Sequence, residues 1–479
     1  MKVLSVASEA YPLIKTGGLA DVVGALPPAL AQHGIETRIL VPGYRQVLAK
    51  LKRPKKLMAV EGPDGTRGTL LEARLGDLKL LVHDAPELFD RDGGPYSDVQ
   101  GNDYPDNWLR FAAFSRLAAD IALGLAPGFL PDVLHVHDWQ AALAPAYLRY
   151  SGKAAPPSVV TIHNLAFQGR FDAAIFARLG LPPEAWSVEG VEYFGGVGFL
   201  KAGMQAASAI TTVSPTYAQE IRSAEFGMGL EGLVNSRAGD LHGIVNGIDT
   251  EVWNPQTDPL IARNFGARAL SARTANRVKV EERFGLDHDG SPLMCIISRL
   301  TWQKGIDIVC EAVDALAGMG VKLAVLGAGD KALEGALLSA AARHRGRVSI
   351  VIGYDEPLSH LLQAGSDAIL VPSRFEPCGL TQLIALRYGC VPVVTRTGGL
   401  ADTVIDANAA AIAAGVATGF VFSPLNASSL LSAIDRMADA HRKPETWRAM
   451  QRQGMKSDVS WSASAARYAE LFRSLSSRA

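Results

Sequence analysis

The hexapeptide TGGLAD occurs twice in this chain, at residues 16–21 and again at 397–402. Each copy follows a short apolar run, VLSVA before the first and VPVV before the second, and the first leads into the apolar-patterned DVVGALPPALAQ. A strand that breaks at paired glycines and resumes as a helix is a β-to-α turn. Its helix start leaves backbone N–H groups unpaired, which suits phosphates and sugar hydroxyls. Two such turns near opposite ends of the chain point to two α/β units facing one nucleotide-like ligand across a cleft. The second copy closes a longer stretch, EPCGLTQLIALRYGCVPVVTRTGGLAD, which runs from a carboxylate through a glycine-opened helix and a buried strand.

The rest of the chain fits that plan. Short β-branched runs alternate with helix-period stretches from the start, and this predicts βαβ units around a parallel sheet. Residues 56–86 read instead as closely spaced strands, an antiparallel insertion, and 87–107 form a long polar loop with Tyr96 and Tyr104, either functional or merely mobile. The strands VLHVH and SVVTIH carry HDW and HNLAFQG at their carboxyl ends, the edge where open α/β sheets bind ligands. Alternation lapses over 250–290, which carries Pro255 and Pro259, so the boundary is placed there; it then restarts as a cleaner doubly wound domain.

With 479 residues, 48% hydrophobic, the chain can bury two or three cores. A net charge of −1 gives no overall basic excess for nucleic acid, so any phosphate recognised is small and locally bound. Four cysteines without CxxC spacing suit a reducing compartment. The N-terminal apolar run is too short for a signal peptide, and no run approaches the roughly 18 residues of a spanning helix. A cytoplasmic protein without membrane contact is expected.

Arg299 and Lys304 in SRLTWQKG follow a strand, and two cations there would neutralise a diphosphate, Arg as a fork and Lys as a point charge. Lys15, before the first TGGL, adds a third. Glu376 sits ahead of a helix opened by Gly379, where it is either a dipole partner or an acceptor for sugar hydroxyls while Gly379, Leu380 and Thr381 offer N–H groups. Tyr354 could stack on a base, and of Cys378 only the backbone would matter. His135 and His137 share a strand face, but no third or fourth metal ligand accompanies them. Asp287 and Asp289 read as a solvated turn, and GAGD at 327–330 lacks the spacing of a dinucleotide fingerprint.

KTGGLADV, HDW, IHN, NGID, SRLTWQKG, EPCGLTQ and TRTGGLADTV, in this order over nearly the full length, resemble the bacterial glycogen synthases and plant starch synthases. The resemblance implies an α/β fold of two Rossmann-like doubly wound domains facing a central cleft, the GT-B arrangement. Residues 1–245 would form the acceptor side, with 457–479 packing back on it, and 246–456 the donor side. The activity implied is transfer of glucose from ADP-glucose to the non-reducing end of an α-1,4-glucan with retention of configuration, with no cofactor and no metal. Lys15 and Gly18 would meet the nucleotide sugar, Arg299 and Lys304 the diphosphate, Tyr354 the adenine, and Glu376 with the Cys378 and Gly379 backbone the glucose hydroxyls. Asp138, His163 and Asn246 would line the sugar and acceptor side. Many related retaining transferases carry a second Glu eight positions on; here that position is Ile384, so its ribose contact is lost.

Breaking the glucose–phosphate bond loads charge on the diphosphate, so fixed cations act most strongly in the transition state. Arg299 and Lys304 are therefore the first catalytic candidates. A same-face substitution, in which the departing phosphate helps take the acceptor's proton, is expected, with Glu376 positioning the donor. Rival readings are an epimerase, a phosphorylase, which would need pyridoxal phosphate, and a non-catalytic glucan binder using Trp139, Trp302 and Tyr104.

Overall fold

The computed structural model describes residues 1–477. The chain forms two compact units, Met1–Asn246 joined by the segment from Trp461 onward, and Gly247–Ser460. The stretch 250–290 thus lies wholly inside the second unit, where its charged residues form the helix Arg273–Phe284 rather than a linker.

The first unit is built on β1 (Lys2–Val6), β2 (Glu36–Pro42), β3 (Lys55–Glu61), β4 (Arg67–Leu75), β5 (Leu78–Asp84), β6 (Val133–His137) and β7 (Ser158–Ile162). A small sheet follows from β8 (Arg170–Asp172), β9 (Glu192–Tyr193) and β10 (Gly196–Gly198), and then β11 (Ala209–Thr212) and β12 (Leu241–Gly243) return to the main sheet. The main order is β12-β11-β7-β6-β1-β2-β5-β4-β3. Only β4 runs against its neighbours; β5 pairs parallel with β2, so the insertion expected over 56–86 is antiparallel at β3 and β4 and rejoins the parallel run at β5. The parallel strands are largely apolar because both faces are covered, and β6 and β7 are buried at every position. The C-terminal helix Ser462–Ser476 packs in this unit against the helix Gly18–Ala31, with Tyr468 and Phe472 among Val22, Leu26 and Leu30.

The second unit is a six-stranded parallel sheet of β13 (Leu293–Ile297), β14 (Lys322–Gly327), β15 (Val348–Ile352), β16 (Ala368–Val371), β17 (Val391–Thr395) and β18 (Phe420–Phe422). Its order, β15-β14-β13-β16-β17-β18, is that of a dinucleotide-binding sheet, which reverses direction between β13 and β16. Strand alternation feeds two cores: Met294 and Ile296 enter one, and Leu293 and Cys295 the other. The DHDG segment is exposed, as a solvated turn would be, and is also tied down by ion pairs. Lys322, fully buried, pairs with Glu281 at 2.7 Å and with Asp289 at 3.2 Å, while Arg347 holds Asp289 from outside at 2.7 Å. Against the cost of burial, hydrogen bonds from Ser291 and Lys322 hold the Asp289 carboxyl well below its usual range.

Candidate functional site

In the second unit the polar residues gather where the strand order reverses. β13 runs out into SRLTWQKG and β16 into PSRFEPCG. Gly305 joins the two loops: its φ is +67°, and a Cβ there would lie 1.9 Å from the Pro372 carbonyl oxygen, so backbone rests on backbone. The contact sets Lys304 Nζ 2.6 Å from Glu376 Oε2, and Ser373 Oγ donates to that same oxygen at 2.7 Å. Glu376 is buried, and among the described residues both of these side-chain bonds fall on Oε2. A small cavity bordered by Ser298, Lys304, Glu376, Gly379 and Thr381 opens here. A buried carboxylate is stable only when its lone pairs are met. One oxygen here is doubly bonded and the other is left for an outside donor. Arg374 fastens the loops from the far side, forked onto Asp307 at 2.7 Å on both oxygens and stacked on Trp302 at 4.2 Å.

The helix Thr381–Tyr388 opens with no side-chain cap, and Gly379 before it sits at φ +74°. Gln382 turns back to the carbonyls of Cys378 at 2.9 Å and Gly379 at 2.8 Å, which leaves the first-turn N–H groups as the anion-facing edge. The second TGG turn is packed beneath this loop: Gly399 N–H donates to the Glu376 carbonyl at 3.0 Å. GAGD has the same kind of role, since a Cβ on Gly327 would meet the Ser298 oxygen at 2.0 Å and one on Gly329 the Leu300 oxygen at 2.3 Å. Its glycines let the SRL loop lie close. Arg299 on that loop is exposed and forms no ion pair among the described residues. Tyr354, 76% exposed past the end of β15, donates its hydroxyl to Glu356 at 2.8 Å.

In the first unit the strand order reverses between β1 and β6. Glu9, just past β1 and buried, accepts hydrogen bonds from the Thr16 N–H, from Thr16 Oγ1 at 2.6 Å and from the Tyr96 hydroxyl, which is also 2.7 Å from Ser8 Oγ. It holds the first TGG turn by its threonine, and Lys15 pairs across that turn with Asp21 at 2.8 Å. Gly17 and Gly18, at the uncapped start of the helix Gly18–Ala31, are exposed. The long loop 87–107 is anchored rather than loose: Tyr96 reaches Glu9, and the buried Arg110 donates to the carbonyls of Leu88 and Pro95.

Asp138 follows β6 in left-handed backbone, φ +54°, a strained choice for a residue other than glycine. Its buried carboxylate accepts the His163 N–H at 2.7 Å, and burial pushes its pKa up to about 7. His163 Nε2 lies 3.0 Å from His137 Nδ1, and His137 Nε2 lies 3.2 Å from Ser5 Oγ. His135 instead meets Thr161 Oγ1 at 2.6 Å. Burial pushes His135 and His163 down to about 3 and holds His137 well below its ordinary value, so the three rings are neutral. Both histidines of HxH are thus buried, each hydrogen-bonded to neighbouring strands rather than to the other. Asn246 is buried with its Oδ1 unbonded.

Lys304, Glu376, Gly379 and Thr381 come together, Arg299 shares their loop, and Asp138 meets His163. Leu380 and Cys378 contribute through the turn they occupy. The sequence reading missed Glu9 and Ser373; a carboxylate three residues past the first strand was the one signal for Glu9. Trp139 is core, packed on Phe111 and Phe171, whereas Trp302 is 61% exposed.

Two family models match the chain, the starch synthase catalytic domain over residues 2–236 and glycosyl transferases group 1 over 278–454. The chain is 60% identical to a glycogen synthase of Mesorhizobium japonicum over 478 residues, covering 100% of this chain and 99% of that one. It is also 60% identical to glycogen synthase 1 of Rhizobium meliloti, covering 99% of each. Among solved structures it resembles the catalytic domain of starch synthase IV from Arabidopsis thaliana bound to ADP and acarbose, with TM-score 0.89, 32% identity and 99% of each chain covered.

Proposed function

Because this chain belongs to the glycogen and starch synthase family of glucosyltransferases, with the GT-B fold, we propose that it extends α-1,4-glucan at the non-reducing end from ADP-glucose, with retention of configuration, and that its two site edges divide the work. The reaction is glycosyl transfer in glycogen synthesis, from a nucleotide sugar to a glucan. ADP as the carrier is supported by the ADP in the Arabidopsis relative. A cytoplasmic setting is supported by four cysteines that form no disulfide.

The observation that carries the reading is Lys304 bonded to Glu376 at the strand reversal of the second unit. The strand order β15-β14-β13-β16 lays out Tyr354, the Arg299 loop and Glu376 in succession, about 4.8 Å per strand. Base, diphosphate and sugar follow that row. Glu376 Oε1 accepts a glucose hydroxyl, while Oε2 keeps Lys304 aimed at the phosphate. As the glucose–phosphate bond breaks, charge grows on the diphosphate, and Lys304 and Arg299 meet it with no reorganisation. The Thr381 helix start adds N–H groups. Lys15 and Gly18 meet the nucleotide sugar from the first unit, and Asp138, His163 and Asn246 line the sugar and acceptor side. The leaving phosphate helps take the acceptor's proton on the same face.

The test is glucose incorporation into glycogen from ADP-glucose and UDP-glucose, by the wild type and by Glu376→Gln. ADP-glucose is the preferred donor, and the variant loses about a hundredfold or more in kcat with little change in KM. Near-normal kcat with a raised KM would overturn the role given to Glu376.

A further inference from the structure

The first unit carries a second polar concavity, at the amino ends of β2, β3 and β5 and the carboxyl end of the antiparallel β4, and therefore away from Glu9 and Asp138. Arg38 on β2 pairs in register with Lys79 on β5, and Lys79 with Arg74 on β4. On the next strand Lys55 of β3 stands opposite Glu72 of β4. Residues paired in this way project from one face, so three cations from three adjacent strands stand side by side. They line a cavity of about 370 Å³ together with Lys55 and Glu72.

Like charges placed directly opposite destabilise a sheet, and here the neutralisation is incomplete. Glu72 binds Arg38 at 2.9 Å, and Glu36 binds Lys79 at 3.0 Å. Arg38 Nε, buried, lies 3.7 Å from Glu36 and makes no hydrogen bond. Arg74 and Lys55 form no ion pair among the described residues. Four cations thus face two carboxylates around a concavity at the small end of ligand pockets, which start near about 300 Å³. A doubly charged group with several acceptor oxygens would meet the exposed Arg74 and Lys55 together, beside Arg38 and Lys79, and a phosphate is that group. Overall charge is −1, so the basic character is local to this wall and does not describe the whole surface.

We propose that this cavity binds a phosphate dianion, free or carried on a small sugar phosphate, at a site distinct from that of the nucleotide sugar. The full chain, saturated with ADP to fill the donor site, is titrated calorimetrically with inorganic phosphate and separately with glucose 6-phosphate. Saturable binding of one equivalent is expected. Tighter binding of glucose 6-phosphate assigns the site to sugar phosphates, and equal binding assigns it to the ion. The exposed pair Lys55→Glu with Arg74→Glu weakens binding by at least about tenfold, and Lys55→Ala with Arg74→Ala by less, both with unchanged glucosyl transfer. Absence of saturable binding, or equal binding by the charge-reversed chain, overturns the proposal.

Discussion

The two TGGLAD copies have one sequence and two environments. At 16–18 the turn is exposed; Gly17 lies in extended backbone, φ −157°, and a Cβ added to it would touch nothing within 4 Å. At 397–399 all three residues are buried, Gly398 is left-handed at φ +42°, and added Cβ atoms would lie 2.0 Å from the Glu376 oxygen and 2.2 Å from the Cys378 oxygen. The glycines of the second copy are required by the fold, as the floor under Glu376. At Gly17 of the first copy no contact among the described residues requires a glycine, and under the proposed function that space is where the nucleotide sugar would approach. Identical motifs can thus be kept for unlike physical reasons, and only packing tells them apart.

The largest effect follows from the buried copy. Gly399→Ala must push the Cys378 carbonyl away, since neither partner is a flexible side chain, and overpacking of that kind costs about 3 kcal/mol. Thermal unfolding of the second unit should fall by several degrees, and kcat should drop as well because Glu376 loses its support. A variant as stable and active as wild type would break the comparison.

A smaller, pH-driven effect separates the two site edges. His83, His135 and His137 are buried and their pKa values are lowered, to about 4 for His83 and about 3 for His135, so the unfolded chain takes up protons first as pH falls through 6.5. Their stabilisation is complete above that pH and is lost below it, by about 1.4 kcal/mol per unit for each ring. Asp138, raised to about 7, works in the opposite sense, holding its proton in the folded state from pH 7 down to about 4, but it is outnumbered by these rings together with His163, which burial lowers to about 3. In the second unit Asp307, lowered by Arg374, keeps its contribution until the pH falls below its ordinary 3.8. Hydrogen exchange at pH 5 against pH 7, corrected for intrinsic rate, should show loss of protection in β6 and β7 and little in β13 and β16. Equal loss in both would contradict it.

How far these differences could be read in advance depends on range. The βαβ alternation was legible because a strand covered on both faces must be largely apolar, and Lys304 and Glu376 because each lies on the loop that follows such a strand. DHDG was legible as an exposed turn but its ion pairs were not, because Lys322 on β14 and Arg347 just before β15 come later in the chain and no local pattern announces the pairing. The parallel return at β5 was hidden for the same reason, since pairing partners are not local. Glu9 was missed because its partners, Thr16 and Tyr96, meet only in the folded unit. The likeness of the two TGGLAD turns was visible at once, while their difference was not, because burial of the second depends on the EPCG loop above it.

The sharpest use of the comparison is the change with the smallest effect on stability. Gly17→Ala introduces a methyl into open space on backbone that alanine adopts without strain, and the remaining cost, a poorer residue at the helix N-cap, is at most about 1 kcal/mol. Under the proposed function the same methyl would stand where the pyrophosphate approaches the uncapped N–H groups of the helix Gly18–Ala31 beside Lys15. Unfolding temperature should therefore stay near that of the wild type while KM for ADP-glucose rises several-fold, the reverse of the pattern at Gly399. Steady-state kinetics and a thermal melt on one preparation decide it. A fall in stability like that of Gly399→Ala would mean that the exposed turn is held by the fold after all. Unchanged KM together with unchanged stability would mean that the donor does not close on this turn, and Lys15 would lose its assigned phosphate with it.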